Sequence, residues 1–323
     1  MDKSKYLLDI SEIAEIENQK YHLRYRSNNT ENPVILFLHG GPGDPDRAML
    51  LKYQSALAEV CTMVCWDQRG AGKAYNSVEA KTLKLTIDLC VEDAHEVILF
   101  LKKKFNAEKI FIVGHSWGSV LGTLVAQKYP EDIAAYVGVG QYVCGEENER
   151  ISYQFVLNEA RNRNDKKAIK KLNKIGQPQN GKYRKKNGIV VERNLLHKYG
   201  GAVFNVYESI VKYFLHQLRI MTSQYSFADL LKYFKAESYN IKYLDISGID
   251  FLKNVKELNV PVYLLEGHHD FNCPYELAEK WFNQLKSPHK RLVWFENSAH
   301  FPQYEENKLW GKTLAKLLFD KEI

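Results

Sequence analysis

The sequence predicts an α/β protein: a mostly parallel central sheet flanked by helices and interrupted by one long helical insertion. Three observations lead there. Short, continuous apolar runs such as 34–38 and 110–113 read as strands buried on both faces, as in a sheet covered on both sides. Segments with apolar residues three and four apart separate those runs, as crossover helices between parallel strands should. Between the sixth and seventh runs lies a stretch of different character, 145–245, with 19 basic and 10 acidic residues against 26 and 29 in the remainder.

The elements follow in order. Residues 13–16 and 21–26, separated by 17–20, predict an opening hairpin. The run 34–38 is a strand closed by a glycine cluster, and 60–66 is a second strand. Residues 86–105 predict a helix, with Ile87, Val91, Ala94, Ile98 and Leu101 on one face. A strand at 110–113, a helix at 117–129 stopped by Pro130 and a strand at 133–139 complete the first block. The pattern resumes with a strand at 262–266, a helix at 274–285 with proline at or near its first turn, a strand at 291–295 and a last helix at 305–318.

A structureless loop of the length of 145–245 is improbable inside a compact domain. Helices are expected at 148–164, at 166–175 (ended by Gly176 and Pro178), at 206–221 and at 227–235, where Ser226 and Asp229 can form a capping box. The expected organisation is a core of 1–144 and 246–323 with a basic helical cap, 145–245, inserted into it.

Composition excludes several classes. At 323 residues and 45% hydrophobic content the chain can bury a large core, and its net charge of +6 is too mild to announce a nucleic-acid or membrane partner. No apolar run approaches the ~20 residues that span a bilayer, and Met1-Asp2-Lys3-Ser4-Lys5 opens no signal peptide. Cysteines 61, 65, 90, 144 and 273 are odd in number with no CxxC pair, which suggests buried, reduced thiols in a cytoplasmic protein. Eleven basic residues and one acid in 161–186 read most simply as a solvated helix face.

Gly114-His115-Ser116-Trp117-Gly118 has the form G-x-S-x-G between a predicted strand and a predicted helix. A turn that tight needs glycines beside it, and it lifts the Ser116 hydroxyl above the sheet at a helix N-terminus, where negative charge is favoured. A nucleophilic serine needs a base, and the base an orienting acid. Asp270 follows the strand at 262–266, and His300 follows the strand at 291–295. Both therefore sit at carboxyl ends of strands, where ligands bind in open α/β sheets. His39-Gly40-Gly41-Pro42-Gly43 follows the strand at 34–38, and its glycines let a backbone amide approach a substrate oxygen. Gly41 is the expected donor, with Gly40 next, and the Trp117 amide completes an oxyanion hole. His268-His269-Asp270 makes a poor metal site, because adjacent histidines point apart.

The glycine block 39–43, Trp66-Asp67-Gln68-Arg69-Gly70-Ala71-Gly72-Lys73 and the block 114–119 resemble the signature segments of the proline iminopeptidase (prolyl aminopeptidase) branch of the α/β-hydrolases. Segments 267–274 and 299–302 fit as well, and the chain order Ser, Asp, His is that superfamily's order. The resemblance covers most of the core and implies an α/β-hydrolase fold. It also implies a Ser116–Asp270–His300 triad, an oxyanion hole at Gly41 and Trp117, and no metal or organic cofactor. Asp67-Gln68-Arg69 reads as a structural loop braced by an Asp–Arg pair.

Two departures stand out. The family's nucleophile block usually begins Gly-Gly-Ser-Trp-Gly, and here the second residue is His115. Cap glutamates of those enzymes hold the substrate's amino group, one of them in a tryptophan-rich stretch, yet 145–245 contains no tryptophan. Glu146, Glu147, Glu149, Glu208 and Glu237 are the available substitutes, each more simply explained as a surface charge. The expected function is a serine hydrolase acting on a small-molecule or short-peptide amide or ester, aminopeptidase-like. The alternatives are an esterase without peptidase activity and an idle scaffold that binds a ligand or partner.

Overall fold

The computed structural model describes residues 6–16, 19–204 and 210–323. Its strands are β1 (Leu8–Ile16), β2 (Gln19–Ser27), β3 (Val34–Leu38), β4 (Thr62–Asp67), β5 (Ile110–His115), β6 (Ile133–Val139), β7 (Val262–Gly267) and β8 (Lys290–Phe295). They form one sheet in the order β1-β2-β4-β3-β5-β6-β7-β8. The β1–β2 hairpin is antiparallel and adds antiparallel to β4, and every other pairing is parallel.

Alternation along β3 shows how the sheet is covered. Val34, Leu36 and Leu38 face one apolar core with Val91, Ile98, Val120 and Trp281, while Ile35 and Phe37 face another with Leu50, Leu51, Trp310 and Leu314. Helices on both faces are what a sheet of continuous apolar strands requires. The helices before the insertion are α1 (Arg47–Tyr53), α2 (Glu79–Thr82), α3 (Ile87–Phe105) and α4 (Trp117–Lys128). Thr86 caps α3 by accepting the Leu89 amide at 3.1 Å, and Asn106 ends it in the left-handed region.

The chain leaves the sheet after β6 and returns beside its own exit. The Gly145 amide donates to the Ile249 carbonyl (2.9 Å) and the Phe251 amide to the Val143 carbonyl (2.8 Å). Between these points lie α5 (Gly145–Asn162), α6 (Lys166–Ile175), α7 (Gly188–Lys198), α8 (Ile210–Met221) and α9 (Phe227–Tyr243). The Ser226–Asp229 capping box is present at α9. Helix α7 was not anticipated, α9 continues two turns past the expected end at 235, and the first part of the helix expected at 206–221 falls partly outside the described residues.

Helices α5–α7 carry a small core of their own, including Val156, Leu172 and Leu196, whereas α8 packs on α1 through Ile220 against Ala48 and Met49. The last helices are α10 (Phe251–Asn254), α11 (Tyr275–Gln284), α12 (Pro302–Glu305) and α13 (Asn307–Phe319). The helix expected at 305–318 is α13, which starts two residues later and follows the separate one-turn α12, and Pro274 stands at the N-cap of α11, next to its first turn.

Two core truncations should behave differently. Leu36→Ala and Leu172→Ala both remove a side chain with no exposure, at a cost of about 2–5 kcal/mol each. Hydrogen exchange should accelerate across the whole chain for Leu36→Ala but mainly within 145–204 for Leu172→Ala. Uniform acceleration in both would show that the two cores unfold as one.

Candidate active site

The carboxyl ends of β3 and β5 meet where the sheet's winding reverses, since β4 lies on one side of β3 and β5 on the other. Such a reversal opens a crevice above the sheet. Ser116 stands there at the head of α4 with φ 55° and ψ −118°, a conformation an L-residue adopts only under constraint. The flanking glycines are obligatory. A Cβ on Gly118 would lie 1.9 Å from the Leu38 carbonyl oxygen, and one on Gly114 would lie 2.2 Å from the Gly118 carbonyl oxygen. The Ser116 amide donates to the Val139 carbonyl (3.0 Å), and the Ser119 hydroxyl donates to the Ser116 carbonyl (2.6 Å), so the turn is pinned from both sides.

Gly40 and Gly41 form the opposite lip. A Cβ on Gly40 would meet Ser116 Cβ at 3.2 Å, and Gly41 has φ +110°. Trp117 is the first residue of α4, so its amide belongs to the helix-end group without an intrahelical acceptor. One side chain ties both lips together: Gln68 Nε2 donates to the His39 carbonyl (3.0 Å), and Gln68 Oε1 accepts from the Trp117 indole (2.8 Å). The Gln68 amide donates to His39 Nε2 (3.1 Å), which leaves the His39 Nδ1 proton for the Gly40 carbonyl (3.0 Å). The structural reading of Asp67-Gln68-Arg69 needs one correction. Asp67 pairs with Arg47 (2.8 Å) and Arg69 with Asp93 (2.6 Å), so the loop is braced by one buried and one partly buried ion pair to other elements.

His300 Nδ1 lies 2.7 Å from Asp270 Oδ2, and both residues are buried. Asp270 Oδ1 accepts the Asn272 and Cys273 amides at 2.8 Å each, which holds the carboxylate in one orientation. Gly140, at φ +52° just past β6, leaves room for the imidazole: a Cβ there would stand 2.8 Å from His300 Nδ1. Burial, with the Arg193 charge adding to it, pushes the His300 pKa well below that of free histidine, so the ring rests neutral and able to accept a proton.

Ser116, His115, His300, Gly40 and Gly41 line one cavity of about 950 Å3 together with Tyr183, Arg193, Met221, Leu230 and Tyr233 of the insertion. The predicted carboxylates are distributed unevenly around it. Glu146 is exposed, Glu147 pairs with Arg150 on the surface (2.7 Å), and neither lines the cavity. Glu208 lies outside the described residues. Glu237 is half-buried beside the cavity-lining Asp44, whose charge raises its pKa together with burial, but it is not itself part of the wall. Glu149 does line the wall and is buried. Arg193 holds its Oε1, Asn148 approaches the same oxygen, and Oε2 has no hydrogen-bond partner among the described residues.

Arg193 also pairs with the fully buried Glu192, which accepts from the Ser152 hydroxyl (2.7 Å). Sequence reading did not find Arg193. Its only signal was an arginine among apolar residues in a helix that was itself missed. His268 and His269 turn to Glu296 instead of to each other. All five cysteines are buried and unpaired, and no described helix is long and apolar enough to cross a membrane.

A family model described as alpha/beta hydrolase fold matches residues 33–307. The chain belongs to the α/β-hydrolase fold family. Among curated relatives, the protein named probable aminopeptidase YbaC of Bacillus subtilis (strain 168) is 29% identical over 327 residues, covering 98% of each chain. The proline iminopeptidase of Thermoplasma volcanium is 23% identical, covering 94% of this chain and 95% of its own. Solved structures share the fold. VinJ gives a TM-score of 0.68 at 15% identity, and the proline iminopeptidase of Mycobacterium smegmatis gives 0.66 at 15%; each match covers 96% of this chain and 98% of the other. At those identities the overlays speak for the fold alone.

His300 provides a test that needs no substrate. Its imidazole, followed by NMR, should titrate below ~6.5, and Arg193→Met should move the midpoint up by removing a like charge. A wild-type midpoint above that value would mean that the Asp270 carboxylate outweighs burial.

Proposed function

We infer that this α/β-hydrolase is a serine hydrolase of aminopeptidase type, cleaving the amide after a free amino-terminal residue of a short peptide or similar small molecule. One observation carries the reading. A serine forced to positive φ at a helix N-terminus shares a cavity with a buried histidine whose Nδ1 is 2.7 Å from a buried aspartate. In this reading His300 takes the Ser116 proton as the hydroxyl attacks the carbonyl, and Asp270 fixes the tautomer that leaves Nε2 free to do so. The Gly41 and Trp117 amides receive the oxyanion, a donor pair of which each member is worth roughly 3–4 kcal/mol in comparable sites. The histidine then protonates the leaving amine, and water releases the acyl group by the same route. No metal or organic cofactor enters these steps.

The helical segment 145–245 serves as the cap that sets specificity, since its residues close the cavity above Ser116. Glu149 supports the amino-terminal preference. It and Asp245 are the cap carboxylates in the cavity wall; Asp245 is paired with Lys182, whereas Glu149 Oε2, without a partner among the described residues, is a buried acceptor that an ammonium group would satisfy. The relatives named aminopeptidase and proline iminopeptidase agree with this substrate class. A second reading, an esterase, draws on Arg193, which already neutralises much of the Glu149 charge.

Ser116→Ala, Asp270→Asn and His300→Ala should fold normally and lose about 10^4-fold or more in turnover. Near-normal turnover by folded Ser116→Ala would remove the assignment. A panel of amino-acid arylamides with free and blocked amino groups, run beside short acyl esters, tests the substrate. Glu149→Gln should raise KM about tenfold or more for free-amine substrates while leaving blocked ones little changed. Equal kcat/KM for free and blocked arylamides in the wild type would favour the esterase.

A further inference from the structure

The cap does more than roof the cavity, because one of its loops is bonded to the turns that carry Asp270 and His300. The Phe271 amide donates to the Gly201 carbonyl (2.9 Å), and the His300 amide donates to the Ala202 carbonyl (3.1 Å). Gly201 admits no side chain, since a Cβ would lie 2.5 Å from Leu196, so the loop is seated tightly against α7 as well. Two residues on, the Phe204 amide donates to Glu305 Oε2 (2.7 Å). The other oxygen, Glu305 Oε1, accepts the amides on both sides of the histidine, Ala299 (3.0 Å) and Phe301 (3.1 Å).

We propose that Glu305 is a positioning residue for His300, and that it works by tying the histidine's turn to loop 201–204 of the cap. The inference rests on His300 being the general base. A carboxylate suits this place because it offers acceptor sites on two oxygens at once, and the three donors around it belong to two different parts of the chain. No cation pairs with Glu305 among the described residues; burial pushes its pKa up to about 7, and the three amides are what favour its ionised form. His300 is thereby held at its own amide by the cap, at its carbonyl by His115 Nε2 (2.9 Å) and on either side by Glu305. Small displacements matter at such a site, since a shift of about 1 Å in a catalytic group can cost 10^2-fold in rate. The base is then in register only while the cap loop is in place.

Glu305→Gln separates the two connections. Its single carbonyl oxygen can keep the pair of amides beside His300, and its NH2 then faces the Phe204 amide and breaks the tie to the cap. Phe204→Pro deletes the same donor from the cap side. Both variants should label at Ser116 with a small dialkyl fluorophosphate, a probe too small to need the cap pocket, about tenfold or more slowly than wild type. On the best arylamide or ester, kcat per labelled site should fall in parallel and KM should change less than about threefold. A residue that merely stabilised the fold would lower the melting temperature and the labelled fraction without changing the rate per labelled site. Labelling rate and kcat per site within about twofold of wild type in either folded variant would overturn the proposal. Ser116→Ala, measured alongside, keeps the failures apart. Turnover surviving in Ser116→Ala sinks the triad, whereas an inert Ser116→Ala beside an unaffected Glu305→Gln sinks this inference alone.

Discussion

The structure turns on how closely the end of β3 approaches the first turn of α4. With the Leu38 carbonyl 1.9 Å from where a Gly118 Cβ would stand, no side chain fits at 118, and the strand-to-helix turn can be as abrupt as it is. That abruptness gives Ser116 its positive φ and presents it beside unpaired amides at the head of α4. It also places the facing lip of the crevice, because the segment that follows Leu38 is the Gly40–Gly41 turn close against Ser116 Cβ. Gln68 can bridge His39 and Trp117 only because the two turns are already this near. Were β3 and α4 to separate by the thickness of one methyl group, Ser116, the Gly40–Gly41 turn and the Gln68 bridge would come apart together.

The second half of the site is held by a different principle. Ser116 owes its conformation first to sterics, with two hydrogen bonds pinning its turn, whereas Asp270 and His300 are held mainly by hydrogen bonds to their turns. Asp270 takes two backbone amides and the imidazole, and His300 is gripped at amide and carbonyl by different elements. Because these turns lean on cap backbone, the insertion carries out part of the work of the core. This agrees with the division inside it, where α5–α7 have their own apolar core while α8 rests on α1. Fold and site are separable in principle, but here the loops that hold the site are also the loops that hold the cap.

Much of this was legible from sequence, for identifiable reasons. The strands of the core read correctly because a sheet buried on both faces leaves continuous apolar runs, and their ends place Ser116, Asp270 and His300 without further help. Glycines at 40, 41, 114 and 118 were readable because steric exclusion leaves one residue type. Helix α7 was missed because Ile189 and Val190 lie exposed, so its apolar spacing points to no single face. The end of α9 was missed because what extends it is tertiary: Asn240 Nδ2 reaches the Gly70 carbonyl (2.7 Å) and Tyr239 donates to the Leu83 carbonyl (2.7 Å). The carboxylates Glu146, Glu147 and Glu149 are neighbours in sequence, but helical geometry turns only the last toward the cavity. Glu305 gave no signal at all, since its partners are backbone amides and any acid near a loop looks alike.

The cap's charge resolves by the same distinction between global and local. Its excess of basic residues is spread over exposed side chains such as Lys170, Lys171 and Arg184. Those charges are screened within roughly 8–10 Å at ordinary ionic strength. Glu149, Glu192 and Arg193 are packed together at the cavity wall, with both carboxylates buried. Two carboxylates against one guanidinium leave the cluster acidic in sum when all three are ionised, and burial makes that difference felt at full strength over short range. Burial also raises the pKa of the Glu149 carboxyl, against the pull of Arg193. The Glu149 oxygen without a partner among the described residues is itself buried, so a cation would gain from it only by displacing what covers it. A basic cap with buried carboxylates at the cavity wall is thus no contradiction: the exposed lysines are screened by solvent and salt, whereas Glu149 and Glu192 act over short range on the groups packed beside them.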